Sequence, residues 1–174
     1  MSESENIRWR ESRDALFASS GQSPLTTAQK AAFDGLAYYD YDETLVFDVT
    51  LDAPDDEQAA QIFTTQNTIR NYRRAGRFTV QIDGQAVTLT LFQTDHGFFL
   101  PFTDTNPDTY GGGRYIDAAQ IDGATFRIDF NRAYHPYCVY NSRYDCPIPP
   151  AENRLTVAIR AGEMLPPERW LKAQ

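Results

Sequence analysis

The sequence predicts a mostly β protein: an antiparallel meander closed or half-closed as a small β-barrel, with an N-terminal helical arm. Three observations point there. From Leu45 onward apolar residues recur at every second position in seven or eight short runs, the period of a strand buried on one face. Turn-forming pairs such as Asp83-Gly84 and Asp122-Gly123 separate the runs, and such turns join sequential antiparallel strands. Aromatic residues make up 13% of the chain, and rings pack well on pleated surfaces. A two-sheet sandwich shares this pattern. The barrel is preferred because sequential hairpins pair neighbours and closure removes exposed edges.

The 174 residues read as one domain, with 1–36 as the helical arm and 37–165 as the barrel, including a long loop at 131–154. The spacing predicts a helix over 3–19, opened by a capping box in which Ser2 and Glu5 satisfy each other's end of the first turn. Trp9, Leu16 and Phe17 give it a short apolar stripe. A second helix is expected from Ser23-Pro24, Ser as cap and Pro in the first turn, ending at Gly35. Leu45, Phe47, Val49 and Leu51 form the first strand, broken by Pro54-Asp55-Asp56. Residues 57–66 fit no single period, a helical turn being the nearest description. Thr68–Arg74 reads as a basic strand bounded by Gly76. A hairpin follows, with Phe78, Val80 and Ile82 going out and Val87, Leu89 and Leu91 returning. Asp95-His96-Gly97 turns into Phe98, Leu100 and Phe102. A short strand at Tyr115–Asp117 then precedes Phe126, Ile128 and Phe130. Leu155, Val157 and Ile159 make a last strand, and Met164–Trp170 a Pro-rich tail with a helical ending.

The formal charge of −8 repels phosphate backbones, so nucleic acid is not an expected partner. Lys30 and Lys172 are the only lysines beside fourteen arginines, and Asp outnumbers Glu two to one. That acidic surface reads either as adaptation to high salt or as an ordinary consequence of a GC-rich genome. No apolar run approaches the roughly 20 residues that span a bilayer, so no membrane partner is expected. The N-terminus MSESENIRWRESRD is polar and acidic, unlike a secretory signal. A cytoplasmic location is therefore expected, and there two cysteines default to free thiols. No cofactor is implied, and the oligomeric state is not encoded in any pattern.

Chemistry concentrates between Thr103 and Leu155. This stretch holds both cysteines, three consecutive glycines, His135 and half of the ten prolines. The blocks TYGGGRY, DFNRAYHPYC and CPIPPAENRL, together with Ser23-Pro24-Leu25, Gly35-Leu36, Arg77-Phe78 and Pro101 to Asp104, resemble the domain-of-unknown-function 1684 family of bacteria and archaea. The resemblance covers most of the chain and implies a shared single domain, for which the family has no assigned activity. One departure is His135, where the family pattern is expected to read Asn; this argues against an obligatory catalytic role for it.

Gly111-Gly112-Gly113-Arg114 offers either an anion cradle or a turn needing close backbone approach. It lacks the features of a P-loop or a dinucleotide fingerprint. Arg127, Asp129 and Asn131 share the strand face opposite Phe126, Ile128 and Phe130. Cys138 and Cys146 allow three readings: thiols, a short disulfide, or metal ligands. Their spacing is not that of a zinc knuckle, and no metal site is assigned. Six tyrosines from Tyr110 to Tyr144 suit either a stacking pocket or barrel plugs.

The leading expectation is a small polar or anionic ligand at one end of the barrel, contacted by Arg114, Asp129, Asn131, Tyr134, His135 and Tyr110. Asn153 and Arg154 would support the loop. One alternative is a hydrolase-type enzyme with Asp129 or His135 as general base and Arg114 stabilising developing negative charge. Another is a structural or partner-binding module, which predicts a large exposed apolar patch and no concave site.

Overall fold

The computed structural model describes residues 2–53 and 59–167. Helix α1 (Glu3–Ser19) starts at Ser2, and the Ser2–Glu5 capping box forms as the sequence predicts. Helix α2 (Thr27–Ala31) is shorter than expected and is capped by Thr26 with Gln29, not by Ser23. The Ser23 hydroxyl is engaged elsewhere. It donates to Phe17 O at 2.7 Å and accepts from Leu25 N at 3.2 Å, which binds the α1–α2 connection.

Seven strands follow: β1 (Val46–Thr50), β2 (Ala59–Phe63), β3 (Ile69–Ile82), β4 (Gln85–Thr94), β5 (Gly97–Phe102), β6 (Arg114–Asp122) and β7 (Thr125–Asp129). They form one antiparallel sheet in the order β1-β7-β6-β5-β4-β3-β2. The β3–β4 turn requires left-handed backbone at both central residues, and Asp83 and Gly84 adopt it with φ of 49° and 74°.

The mostly β antiparallel sheet is as expected; of the two forms expected of it, closed or half-closed as a barrel, the closed one is not seen, since the sheet is open. It curls far enough for Asp52 to bridge Arg77 through two backbone hydrogen bonds of 2.8 and 3.0 Å, yet among the described residues no further pairing extends this contact. The bridge explains Gly76. A β-carbon there would sit 2.8 Å from Leu51 Cβ, and the register slips between Arg74 and Gly76 to let the chains cross.

That bulge also fuses two expected elements. Thr68–Arg74 and the outgoing arm of the hairpin are one 14-residue strand, β3. Residues 59–63 form edge strand β2 rather than a helical turn, because Ala60 and Ile62 pack on Phe92 and Tyr72 on the outer face of the sheet. The expected break at Pro54-Asp55-Asp56 and the helical ending at 168–170 lie outside the described residues.

The inner face of the sheet carries the core. Phe78, Val80, Leu89, Leu91, Leu100, Phe102, Ile116, Phe126, Ile128 and Phe130 are all buried, each stabilising the fold by about 1.5–3 kcal/mol on full burial. Leu155, Val157 and Ile159 complete this cluster but form no strand. Their alternation serves packing alone. A second cluster joins the helices to the long loop, with Phe17 and Leu25 against Val139 and Tyr140. No helix among the described residues is long and apolar enough to cross a membrane.

Candidate functional site

After β7 the chain straps the outer face of the sheet. Tyr134 pairs with Tyr115 of β6 through two 2.9 Å backbone hydrogen bonds. The 3-10 turn Tyr137–Val139 follows, and Pro147 then bridges Thr64 beside β2. The Tyr115 hydroxyl donates to Pro147 O through a very short hydrogen bond. Between strap and sheet lies a groove of about 1080 Å³.

Strand pairing explains its walls. Phe92, Phe99 and Asp117 sit opposite one another across β4, β5 and β6, so all three point to the outer face. Phe99 packs on Tyr115 and Tyr72, with centroids 4.8 and 5.8 Å away. Tyr134, Tyr137 and Tyr144 face them from the strap, while Arg13, Arg70, Asn71 and His96 add polar groups. Asp117 keeps its outer edge in solvent. Crowding by the neighbouring rings nevertheless pushes its carboxyl above the usual range, opposed by the Tyr134 hydroxyl, which lies 3.1 Å from both oxygens. The Arg13 guanidinium lies 4.7 Å over the Tyr134 ring.

The residues singled out from sequence have other surroundings. Arg114 is 1% exposed. It donates to Asp104 at 2.8 Å, to Ile159 O at 2.8 Å, to Ala161 O at 2.5 Å and to Glu163 O at 3.3 Å. Its guanidinium thus satisfies the carbonyls of Ile159, Ala161 and Glu163, while Thr103 and Thr105 bond the backbone of Leu155 and Val157. The expected last strand is replaced by these single contacts, with one isolated bridge between Thr103 and Arg154. Asp129 is 2% exposed, and one of its oxygens accepts the Asn131 backbone and side-chain N–H groups at 3.0 and 2.9 Å. Arg114 and Asp129 share no partner. Asn131 is fully buried and holds the backbone of Asp42 through both amide atoms at 2.8 Å. Arg127 forms an exposed pair with Asp48 on β1.

His135 is fully buried. Its Nε2 accepts from Tyr110 N at 3.1 Å, so its proton sits on Nδ1, 3.9 Å from Glu163. Burial first, then the charges of Arg114 and Arg13, hold it down to about 3. Glu163 does not reverse this, because its carboxylate already accepts from Arg13 at 3.0 Å, from the His135 backbone at 3.0 Å, and very closely from the Tyr140 hydroxyl. Burial opposes the charge of Arg13, but Glu163 outweighs it and raises that guanidinium.

Of the six predicted contacts, Tyr134 alone lines the groove; the others knit the strap and tail together. Asn153 supports the loop as expected. Its side chain is inserted between β4 and β5, bonded to Thr90 N, Thr90 O and Pro101 O at 2.8–2.9 Å. Arg154 is exposed, and its backbone bridges Thr103. The glycine run is a packed turn. Gly113 has φ of 104°, a β-carbon there would lie 2.6 Å from Phe102 O and from Pro149, and its amide already donates to Tyr110 O.

Sequence reasoning missed Asp117, Tyr72, Phe99 and Arg13. The period-2 alternation of β6, with Arg114 and Ile116 inward and Tyr115 and Asp117 outward, carried a signal for Asp117. Nothing local marked the outer face as covered. Among the described residues no group of three or more His, Cys, Asp or Glu converges as a metal site.

Comparison with solved structures finds similarity to the solution NMR structure of an uncharacterized protein from Haloarcula marismortui, 30% identical, with a TM-score of 0.68 over 93% of both chains. No curated protein matches. A family model described as "Protein of unknown function (DUF1684)" matches residues 31–164, and the chain therefore belongs to that family.

Proposed function

We propose that the chain binds a small polar molecule with a flat face in the groove between strap and sheet. The observation that carries this reading is the groove itself: a concavity walled by stacked rings, with one solvent-reached carboxyl, Asp117, held above its usual range. Such a site offers apolar area for affinity and a few convergent polar groups for orientation. The strap is tied down at Tyr134, Pro147 and Asn153, so little ordering entropy remains to be lost on binding. Three arginines and three aspartates line the groove, which favours a polar ligand over a strongly anionic one. Arg114, Asp129, Asn131, His135 and Tyr110 act here as the frame behind the site.

The test is a titration of 15N-labelled protein with a panel of nucleosides, monosaccharides and aromatic amino acids. Saturable shifts at Phe99, Asp117 and Tyr134, weakened by Asp117→Asn, are expected. Shifts confined to the 104–114 loop, or none with any member, would overturn the reading.

The raised carboxyl also favours a second reading, a hydrolase-type enzyme with Asp117 as general acid or base. Asp129 and His135, at 2% and 0% exposure, are too enclosed to touch a substrate. Turnover on a substrate panel that disappears in Asp117→Asn while binding persists would establish this version over binding alone.

A further inference from the structure

Cys138 and Cys146 are free thiols at the two ends of the turn that carries Tyr137 and Tyr144 against the groove. The Cys138 N–H donates to Cys146 Sγ at 3.3 Å, which sets the two cysteines side by side. The position of Cys146 is firmly set. Its N–H donates to Thr65 Oγ1 at 3.0 Å and its carbonyl accepts from Thr65 N at 2.9 Å. Cys146 lines the groove with 7% of its surface exposed, and Cys138 is half-buried beside it.

We propose that Cys146 and Cys138 form a dithiol site for thiol–disulfide exchange, with Cys146 attacking a small-molecule disulfide that enters by the groove and Cys138 resolving the product. In the first step the Cys146 thiolate attacks one sulfur of the disulfide RSSR. A Cys146–SR mixed disulfide forms and RS⁻ leaves. In the second, Cys138 passes its proton to the expelled thiolate and attacks Cys146 Sγ, forming the Cys138–Cys146 bond and releasing the second RS⁻. The two protein sulfurs are oxidised by two electrons, and RSSR is reduced to RSH and RS⁻, the latter taking up the proton that Cys146 released on ionising.

The division of roles follows from the surroundings. The neighbouring Cys138 thiol first, then the Cys138 N–H and the charge of Arg70, overcome burial and bring Cys146 down to about 7. Cys138 is pushed up by the same contact and by burial. Thiolate is the attacking species, and a thiol ionised near ambient pH is the best attacker. The groove's volume of about 1080 Å³ exceeds that of a small-molecule disulfide.

The full chain, incubated with oxidised glutathione at pH 7, provides the test by intact mass and peptide mapping. The wild type is expected to lose two hydrogens and link Cys138 to Cys146. Cys138→Ser should stop at one glutathione adduct on Cys146, and Cys146→Ser should be adducted at least about tenfold more slowly. An inert wild type, adducts on both cysteines without the internal link, or equal rates in the two variants would overturn the proposal. Should a variant fail to fold, limited iodoacetamide labelling of the wild type decides: Cys146 modified first supports it, and Cys138 first refutes it.

Discussion

Acid should destabilise this fold through His135 in particular. The ring is fully buried, and its Nε2 already accepts the Tyr110 N–H. A second proton would have to go on that nitrogen, setting two N–H groups against each other. Its value in the fold is about 3, against an ordinary value near 6.5 in the unfolded chain. The sign follows from proton uptake. Between pH 6.5 and 3 the unfolded chain holds the extra proton, so stability falls as pH falls through that window. At pH 5 the loss relative to pH 8 is about 2 kcal/mol from this residue alone, a large part of the roughly 5–15 kcal/mol that typically holds a domain. The assay is urea unfolding of the wild type and His135→Asn at pH 8 and pH 5. Asn, the residue expected in the family pattern, retains a carbonyl for Tyr110 N–H and does not titrate. Carboxylates and His96 are common to both proteins, so the difference between the two curves isolates His135. That difference should shift by about 2 kcal/mol in favour of the variant at pH 5. Parallel pH dependences would refute the argument.

Three further outcomes are expected from equilibrium unfolding. Asn153→Ala leaves Thr90 N–H and two carbonyls without their buried partner and should cost roughly 3 kcal/mol; a loss under about 1 kcal/mol would show that water replaces the amide. Gly113→Ala combines left-handed backbone with contacts at 2.6 Å and should cost at least about 2 kcal/mol. Gly111→Ala, with no atom within 4 Å, should stay within about 0.5 kcal/mol. Equal effects at the two positions would contradict the packed-turn account. Arg114→Met strands Asp104 and three carbonyls in the interior and should cost about 3–5 kcal/mol, whereas Arg127→Met, losing an exposed pair, should cost under about 1 kcal/mol.

How far the sequence could be read depended on the range of the interaction. The Ser2–Glu5 box, the Asp83-Gly84 turn and the alternation of β4, β5 and β7 act within a few residues, and all were legible. The failures involved partners far along the chain. Thr26 displaced Ser23 as a cap because Ser23 was already bound to Phe17 O. Leu155, Val157 and Ile159 alternate like a strand, yet their backbone is met by distant partners: Thr103 and Thr105 bond Leu155 and Val157, and an arginine 45 residues before Ile159 takes its carbonyl. Residues of polar character in the long loop looked like ligand contacts because a buried amide that ties a loop and an amide that meets a ligand are written alike in one dimension.

Local rules were therefore enough to specify a β-rich chain with a helical arm, the tight turns and the core face of most strands. Which polar side chains turn inward, where the strap crosses the sheet, and that Asp117 and Cys146 come to face one groove were decided by tertiary packing. The physical reason is that burial and hydrogen-bond satisfaction are properties of the whole assembled chain. A side chain's neighbours along the sequence say which way it points, but only the segments that fold over it decide whether it meets water, protein or an opening.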